Sequence, residues 1–249
     1  MKVSIVGYGQ MGREIEKICI DRGHSIVSRV DVNADDADSR DLTHSICKDS
    51  DVIIEFSLAK AVLDHIKTYA ENKTPAVVGT TGWLEKLEDA RNIINKNQGT
   101  FLYGSNFSIG AHMFFNLLAR AGDLAEKVEA YDVMLHEIHH KKKQDSPSGT
   151  AVSAAEIVKS RLERKSIIQT ETLHRQIKEE EMQVSSLRGG YVPGTHTLYM
   201  DSEADTIEIT HRARNRKGFA LGAVLAAEWV VDKTGFFTVE EFIEDFLKN

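Results

Sequence analysis

The stretch of this chain that is richest in reactive side chains runs from His136 to Ala151 and reads HEIHHKKKQDSPSGTA. Imidazole titrates near neutral pH and can pass a proton to a substrate, while lysine ammonium groups attract anions. Within the stretch, Ser148, Gly149 and Thr150 precede apolar residues at helical spacing. Their hydroxyls and free backbone N–H groups are therefore predicted at a helix N-terminus, which attracts a carboxylate. The combination predicts a site for an anionic small molecule with its own proton donor.

A metal site is the competing interpretation of the same stretch. His136-Glu137-x-x-His140 formally matches the zinc-protease motif, in which two imidazoles one helical turn apart bind the ion. That motif needs a helix, whereas residues 131–136 have at least as much strand as helix character. The three lysines at 141–143 would also repel a divalent cation. We therefore predict that the chain has no metal site.

A second candidate site is a glycine loop with the sequence Gly7-Tyr8-Gly9-Gln10-Met11-Gly12. It follows the first predicted strand and opens the first predicted helix, which is the context of the dinucleotide fingerprint. In that fold the glycines permit a tight turn, close approach of the pyrophosphate and close packing of helix on strand. Asp31 ends the second predicted strand, near the ~20-residue offset at which a carboxylate binds the adenosine ribose. These features predict a dinucleotide site; a glycine turn that binds nothing is the alternative.

Composition narrows the class of protein. The 249 residues carry a net charge of −7, the wrong sign for a protein whose main task is to bind nucleic acid. Cys19 and Cys47 form no disulfide or thiolate-metal spacing, which fits a reducing cytoplasm. No apolar stretch approaches the ~20 residues of a membrane span, and the N-terminus lacks a signal-peptide pattern. We expect a cytoplasmic protein with no nucleic acid or membrane partner.

The elements that position these groups fall into two regions. Up to about residue 107, short β-branched runs alternate with amphipathic stretches, the pattern of a parallel sheet with crossover helices. The predicted strands are Val3–Val6, Ser25–Asp31, Val52–Phe56, Ala76–Val78 and Phe101–Tyr103. The predicted helices are Met11–Asp21, Lys60–Asn72 and Leu84–Asn97. This region predicts a Rossmann-type α/β domain.

After Asn106 the pattern becomes that of an α+β region. A helix is predicted over Ile109–Ala121, and the extended segments are predicted at 130–140, 196–201 and 206–213. The charge-rich residues 164–183 are predicted to be a solvated surface excursion. The chain then returns to helix over Phe219–Val231 and over Thr238–Leu247, which begins with a capping box. Because these helices have no predicted strands to cover, we expect them to pack on the first domain.

Taken together, the motifs resemble those of the 4-hydroxy-tetrahydrodipicolinate (dihydrodipicolinate) reductases of bacterial diaminopimelate and lysine synthesis. The resemblance runs over the whole chain and rests on seven segments: Val6–Gly12, Gly79–Gly82, Asn106–Gly110, Glu137–Ala151, Arg188–Gly190, Gly194-x-His196 and Ile209–Ala213. Of these, the segment from Glu137 to Ala151 is the longest and the most specific.

The resemblance implies an NAD(P)H-dependent oxidoreductase that reduces 4-hydroxy-tetrahydrodipicolinate, a small dicarboxylate, to tetrahydrodipicolinate. It implies a Rossmann-type dinucleotide-binding domain formed by residues 1–108 and 216–249. Residues 109–215 would form an α+β domain that binds the substrate and builds a homotetramer.

The resemblance also implies roles for individual residues. His139 would be the catalytic acid/base residue, and Lys143 would be the proton donor. Together with the helix N-terminus above, the substrate contacts would be His140, Lys143, Ser148, Gly149 and Thr150. The cofactor contacts would be Gly7, Gly9, Gln10, Met11, Gly12, Asp31, Gly79, Thr80, Thr81, Gly104, Ser105, Asn106 and Phe107.

The cofactor is NADH or NADPH, and one departure from the family pattern favours NADH. Val32 follows Asp31, where many members place a basic residue. A carboxylate accepts hydrogen bonds from both ribose hydroxyls but repels a 2′-phosphate. Arg13 or Arg29 could still reach such a phosphate.

Two other functions compete with this interpretation. Another two-domain Rossmann oxidoreductase, acting on a different small substrate, would share the first domain but would not need the Ser148-Gly149-Thr150 turn unless that substrate were carboxylated. A non-enzymatic nucleotide sensor would keep the glycine loop and would not need the proton donors. Both fit the segment from Glu137 to Ala151 less well.

Overall fold

The computed structural model describes residues 1–248 and divides the chain into two compact units. Unit 1 combines Met1–Ile109 with the C-terminal segment from Arg216, and unit 2 is Gly110–Asn215. In the described part of the chain, no helix is both long and apolar enough to cross a membrane.

The N-terminal part of unit 1 alternates strands with helices. Its strands are β1 (Lys2–Val6), β2 (Ser25–Val30), β3 (Val52–Glu55), β4 (Ala76–Val78) and β5 (Thr100–Tyr103). Its helices are α1 (Gln10–Asp21), α2 (His44–Asp49), α3 (Ala59–Asn72) and α4 (Leu87–Asn97), with a 3₁₀ turn at Leu84–Lys86. All strand pairings in this sheet are parallel, and β3 and β4 are buried over their whole length, as expected for strands covered on both faces.

Unit 2 is built on a mixed sheet. It contains α5 (Ile109–Lys127), β6 (Asp132–His139), α6 (Gly149–Lys159), β7 (Ile167–Gln169), β8 (Glu181–Arg188), β9 (Gly194–Asp201) and β10 (Thr206–Ala213). The strand order is β10-β9-β6-β8-β7, with β6 parallel to β8 and antiparallel to β9. One face of this sheet packs against α5 and α6 through a buried aliphatic and aromatic cluster.

The C-terminal segment returns to unit 1 with α7 (Lys217–Val230), β11 (Gly235–Thr238) and α8 (Val239–Lys248). Strand β11 pairs in parallel with β5 and completes a six-stranded sheet in the order β11-β5-β4-β3-β1-β2. Helices α7 and α8 contribute to the same hydrophobic cluster as β1 and β3, so the expected packing on the first domain is confirmed. The predicted capping box is also confirmed, because Thr238 and Glu241 exchange side-chain and backbone hydrogen bonds of 2.7 and 3.2 Å.

Four elements differ from the sequence prediction. Strand β11 and helix α2 were not predicted; both are short, and β11 lies between two helical patterns. Residues 164–183 are not only a surface excursion, since they include β7 and the start of β8. The charges there hide the strand because Glu181 is buried and paired with Arg175 at 2.5 Å. Because this ion pair allows a charged residue to be buried, the sequence at the start of β8 has the polar character of a surface segment.

The packing of α7 on the end of the Asn106 loop can be tested with two glycines of the same helix. A Cβ at Gly222 would lie 1.7 Å from the carbonyl oxygen of Phe107. We expect Gly222→Ala to lower the free energy of unfolding by about 1–3 kcal/mol, the usual cost of overpacking. A Cβ at Gly218 would come no closer than 3.7 Å to its nearest neighbour, so Gly218→Ala should be neutral or stabilising by up to about 1 kcal/mol. Urea unfolding of the two variants measures this, and equal stabilities would contradict it.

Candidate active site

The polar end of the unit 2 sheet carries the candidate site. Leu135 on β6 is flanked by buried aliphatic side chains of β8 and β9, whereas Glu137, two residues further on, is flanked by Ser186 and His196. Because side chains alternate along a strand, Glu137 and then His139 continue the face that packs on the helices. A buried apolar face thus ends in a row of polar side chains.

Glu137 is the centre of this row, and its carboxylate is fully buried. Its Oε1 accepts hydrogen bonds from Arg188 Nη2 at 2.6 Å and from the backbone N–H of Ser148 at 3.0 Å. Burial alone would raise the pKa of Glu137, but the Ser148 hydroxyl, Arg188, the Ser186 hydroxyl and the Ser148 N–H, in that order, lower it to about 2. The group is therefore a charged carboxylate at neutral pH.

His139 lies beside this carboxylate. Its Nδ1 is 2.8 Å from Glu137 Oε2. The contact is short enough for a hydrogen bond, but the angle between the two groups is not that of one. The imidazole is 6% exposed. Burial lowers the pKa of His139, and the neighbouring Glu137 charge opposes that shift, whereas Lys143 and Arg188 add to it. The ring is thus neutral or weakly protonated near pH 7, as a group that exchanges protons must be.

His196 forms a wall of the site on the neighbouring strand. Its ring packs edge-on against that of His139, with the centroids 5.1 Å apart. Its Nε2 is 3.1 Å from Ser148 Oγ and 3.6 Å from Glu137 Oε2. Burial is the main cause that lowers the pKa of His196, to about 4. It is a neutral imidazole at pH 7, and the Ser148 hydroxyl can donate its proton to it.

The N-terminus of α6 lies next to these side chains, as the sequence predicts. Ser148 is its N-cap and accepts a hydrogen bond from the Ala151 N–H at 3.2 Å. Since its own N–H is donated to Glu137, buried Ser148 supports the site from inside rather than facing solvent. Gly149 is exposed and Thr150 is half-buried, so these two residues present the helix N-terminus to the outside.

The loop between β6 and α6 carries the remaining substrate-site candidates. Lys143 is partly exposed, and its Nζ lies 2.8 Å from Asp145 Oδ1. The Lys143 ammonium, and after it the N–H of Gly149, hold the pKa of the Asp145 carboxyl below its usual range. Arg188 also donates to the Asp145 carbonyl at 2.7 Å, which ties the loop to the end of the sheet. His140 lines a small cleft of about 190 Å³ beside this loop.

The helix that the zinc motif requires does not form, because residues Asp132–His139 are a strand. His136 lies on the opposite face, where its Nδ1 is 2.8 Å from Ser185 Oγ. A different trio, Glu137, His139 and His196, places ligand-type atoms within 4.8 Å of one another. The Arg188 guanidinium already compensates the only carboxylate of this trio, which makes the environment unfavourable for a divalent cation.

The glycine loop of unit 1 has the geometry of a pyrophosphate-binding turn. Gly7 has a φ of +92°, and a Cβ there would lie 2.0 Å from the Phe56 carbonyl oxygen. A Cβ at Gly12 would lie 2.3 Å from the Gly7 carbonyl oxygen, which explains the close helix-to-strand packing. At Gly9, the N-cap of α1, a Cβ would meet no atom within 4 Å, and no side chain caps the helix. The start of α1 thus has space beside Gly9 and no side chain on its N–H groups, which fits a bound dinucleotide.

Asp31 follows β2 and is held in place by the backbone. It accepts N–H groups from Tyr8 at 2.8 Å, from Asn33 at 2.8 Å and from Ala34 at 3.0 Å. Burial opposes ionisation of Asp31, but these donors outweigh it and lower its pKa. A charged carboxylate thus lies at the position where the adenosine ribose is predicted.

Three arginines lie near the predicted ribose site, and Arg40 donates to the carbonyl oxygens of Asp31 and Ala34 at 3.3 and 2.7 Å. The other two are paired with acidic side chains. Arg13 makes a two-pronged ion pair with Asp36, with both N–O distances at 2.6 Å. Arg29 is paired with Glu16 and, at 3.0 Å, with Asp38. Neither guanidinium is held ready for a phosphate.

The other predicted cofactor residues follow neighbouring strands at the same edge of the sheet. Gly79, Thr80 and Thr81 come directly after β4, and Gly104, Ser105, Asn106 and Phe107 come after β5. In open parallel sheets, ligands bind at this carboxyl edge. Packing also explains two of the glycines: a Cβ at Gly79 would lie 2.1 Å from the Phe56 ring, and one at Gly104 would lie 2.4 Å from Val239. The Phe107 side chain is buried in the core, which leaves its backbone for contacts.

Sequence reasoning assigned no role to three residues that the structure places in the site. Glu137, Arg188 and His196 occur in the family-like motifs, but their contacts join three strands that are far apart along the chain. The one available signal was the alternation of β6, in which Glu137 and His139 continue the buried face begun by Val133 and Leu135.

Burial of neutral His196 makes stability depend on pH. The unfolded chain binds a proton at this imidazole below about pH 6.5, whereas the folded protein does so only near pH 4. Stability should therefore fall as the pH decreases from 6.5 to 4, by up to about 1.4 kcal/mol per pH unit for one proton. His196→Asn should flatten this slope in urea unfolding, and replacing the exposed His44 with Asn should not. An unchanged slope in His196→Asn would contradict the assignment.

Comparison with known proteins bears directly on this arrangement. The family model described as "Dihydrodipicolinate reductase, N-terminus" matches residues 1–107, and the C-terminus model of the same family matches residues 110–243. A protein named 4-hydroxy-tetrahydrodipicolinate reductase from Christiangramia forsetii is 43% identical over 249 residues, covering 100% of both chains. A protein of the same name from Archaeoglobus fulgidus is 35% identical, over 98% of this chain and 100% of its own.

The fold is shared with a solved structure, the dipicolinate-bound dihydrodipicolinate reductase from Paenisporosarcina sp. TG-14. The TM-score is 0.74 at 21% identity, covering 97% of this chain and 98% of that one. Since both halves match the family models and the relatives match from end to end, this chain belongs to the dihydrodipicolinate reductase family.

Proposed function

We propose that this chain reduces 4-hydroxy-tetrahydrodipicolinate to tetrahydrodipicolinate with a reduced nicotinamide nucleotide, in diaminopimelate and lysine biosynthesis. The family and the reductase relatives support the reaction. One observation in the structure carries it: His139, at the end of a buried strand face, shares a site with Lys143 and the N-terminus of α6. That combination offers a proton donor beside two kinds of carboxylate receptor.

The substrate carboxylates would bind to Lys143 and to the exposed start of α6. The Asp145 carboxylate lies 2.8 Å from the Lys143 ammonium, and the Gly149 N–H is among the groups that lower the Asp145 pKa, so both can bind a carboxylate. An incoming substrate carboxylate would take the place of Asp145 on one or both donors. His140 and Thr150 would complete the contacts, while Ser148 would hold the helix in register from inside.

The proton is the task of His139. A bound reduced nicotinamide supplies a hydride. Loss of the substrate hydroxyl, with a hydrogen of the neighbouring carbon, as water would form the conjugated imine. After the hydride adds to this imine, the neighbouring carbon is electron-rich and takes a proton from a group that titrates near neutrality. Replacement of the substrate hydroxyl by hydrogen consumes one hydride and one proton and releases one water. Lys143, as a cation close to the bound carboxylate, would favour both substrate binding and the charge that develops during reduction.

The nucleotide would bind to residues 1–108 and 216–249, and the substrate to residues 109–215. Gly7, Gly9 and Gly12 would hold the pyrophosphate at α1, and Asp31 would bind the ribose. We propose that NADH is preferred, because a charged Asp31 repels a 2′-phosphate while Arg13 and Arg29 are paired with acidic side chains.

Residues 109–215 would also build a homotetramer. The support is the open face of the unit 2 sheet, where Met134 is exposed and a groove of about 460 Å³ runs past Met134 and Tyr199. A second copy of this chain is the proposed occupant, because the groove combines apolar Met134, Ile177 and Tyr199 with polar side chains and belongs to the α+β domain.

A direct assay tests the reaction, the cofactor and the absence of a metal requirement together. The substrate is made in situ by condensing pyruvate with aspartate semialdehyde, and oxidation of NADH and of NADPH is followed separately. We expect substrate-dependent oxidation, a higher kcat/KM for NADH, and no change after treatment with EDTA. No oxidation with either nucleotide would refute the function, and a clearly higher kcat/KM for NADPH would refute the preference.

The two central residues should respond differently to substitution. His139→Gln should keep KM nearly unchanged and lower kcat by on the order of 10² to 10⁴, the usual worth of a positioned acid. Lys143→Ala should raise KM and lower kcat together, because the ammonium contacts bound substrate as well. The Kd for NADH should stay unchanged in both variants.

Thermal melts of the free variants provide the control for this comparison. If both residues only shaped the loop, the two variants would lose stability and would show the same kinetic defect. A folded His139→Gln enzyme that keeps most of its kcat would remove His139 from the proton-transfer role.

A further inference from the structure

The carboxylate of Glu137 lies between two parts of the site. Its Oε1 is used by Arg188 and by the Ser148 N–H, which fix the side chain from the strand and helix sides. Its Oε2 is left for the imidazoles, at 2.8 Å from His139 Nδ1 and 3.6 Å from His196 Nε2. Since Arg188 and the Ser148 N–H both contact Oε1, the position of Oε2 needs an explanation of its own.

The two nitrogens of His139 have different surroundings. Nδ1 is buried against Glu137, whereas Nε2 points past the first residue of β9, Gly194. A Cβ at Gly194 would lie 2.9 Å from Nε2, so a side chain larger than hydrogen would cover this atom. The φ of Gly194 is outside the left-handed region, so the backbone itself does not require glycine there. The missing side chain leaves Nε2 uncovered.

We propose that Glu137 is the positioning residue of the proposed reductase: it holds the Nδ1–H of His139, so that Nε2 is the atom that gives the proton to substrate. In the step, the Nε2–H bond breaks, its electron pair stays on the nitrogen, and the substrate carbon takes the proton. The neutral imidazole keeps its hydrogen on Nδ1, and water reprotonates Nε2. The inference rests on the proposed function for the reaction, but not for the geometry.

The charges around His139 support this role. Lys143 on the loop and Arg188 on β8 both disfavour the imidazolium, and His196 on β9 is neutral. Glu137 on β6 is the one charge named here that favours it. The misaligned 2.8 Å contact agrees with a free site, because catalytic hydrogen bonds are often poorly aligned until substrate binds.

The test compares Glu137→Gln with a matched control. Glu181→Gln also removes a buried carboxylate that is paired with an arginine. Glu181 begins β8, at the opposite end of that strand from the residues beside His139. The pKa of His139 is measured in each free protein by NMR of labelled histidine, with His139→Gln to assign the signal. The pH profile of kcat is then measured with NADH and the substrate formed in situ.

We expect Glu137→Gln to lower the pKa of His139 by on the order of one unit and to reduce kcat at pH 7 by on the order of 10². The high-pH limb of the kcat profile, where the imidazolium loses its proton, should move to lower pH with the pKa. Glu181→Gln should lose stability, but it should leave the pKa of His139 unchanged and keep kcat within about twofold of the wild type. Glu137→Asp retains the charge and should restore part of both values.

Two results would overturn the proposal. One is a Glu137→Gln protein with an unchanged pKa for His139 and an unchanged pH profile, which would make the carboxylate merely structural. The other comes from Gly194→Ala, which covers Nε2 and serves if Glu137→Gln fails to fold: unchanged kcat would exclude Nε2 as the donor atom. An inactive wild type would refute the proposed function alone, because the NMR titration needs no substrate.

Discussion

A carboxylate without access to water must be compensated by the protein, and this requirement organises the end of the unit 2 sheet. Glu137 is fully buried, and its polar neighbours come from three directions: the guanidinium of Arg188, the N-cap of α6 and the imidazoles. An uncompensated charge in this position would cost several kcal/mol. The strand β8, the loop before α6 and the N-cap Ser148 are thereby fixed relative to one another. The residues that contact substrate in our proposal all lie on the elements fixed in this way.

The same principle of compensation operates in unit 1, with backbone groups in place of side chains. The α1 N-terminus has no side-chain cap, and Asp31 is held by N–H groups of the neighbouring turns. The glycine loop leaves space beside Gly9, and Asp31 adds an acceptor next to this loop. Because Arg13 and Arg29 are paired with acidic side chains, a 2′-phosphate bound as we propose would meet the charged Asp31 without a free guanidinium from either of them.

The sequence is informative where one residue type permits one geometry. The turn at Gly7, the capping box at Thr238 and the strand preceding His139 could all be predicted, because each depends on neighbours along the chain. Strand β8 could not, since its charged start is compensated by Arg175 across a turn. The roles of Glu137, Arg188 and His196 were also out of reach, because they depend on the register of three strands. Local patterns thus identify the reactive residues, and tertiary pairing determines which of them cooperate.

The central claim is that the imidazole paired with Glu137 lies beside a carboxylate receptor. Titration with pyridine-2,6-dicarboxylate, in the presence of NADH and with labelled histidine observed by NMR, tests it most directly. The bound anion should raise the pKa of His139, because a nearby negative charge favours the imidazolium. Lys143→Ala should weaken binding of the dicarboxylate. A dicarboxylate that binds without changing the His139 signal, or binds equally well to Lys143→Ala, would contradict the account.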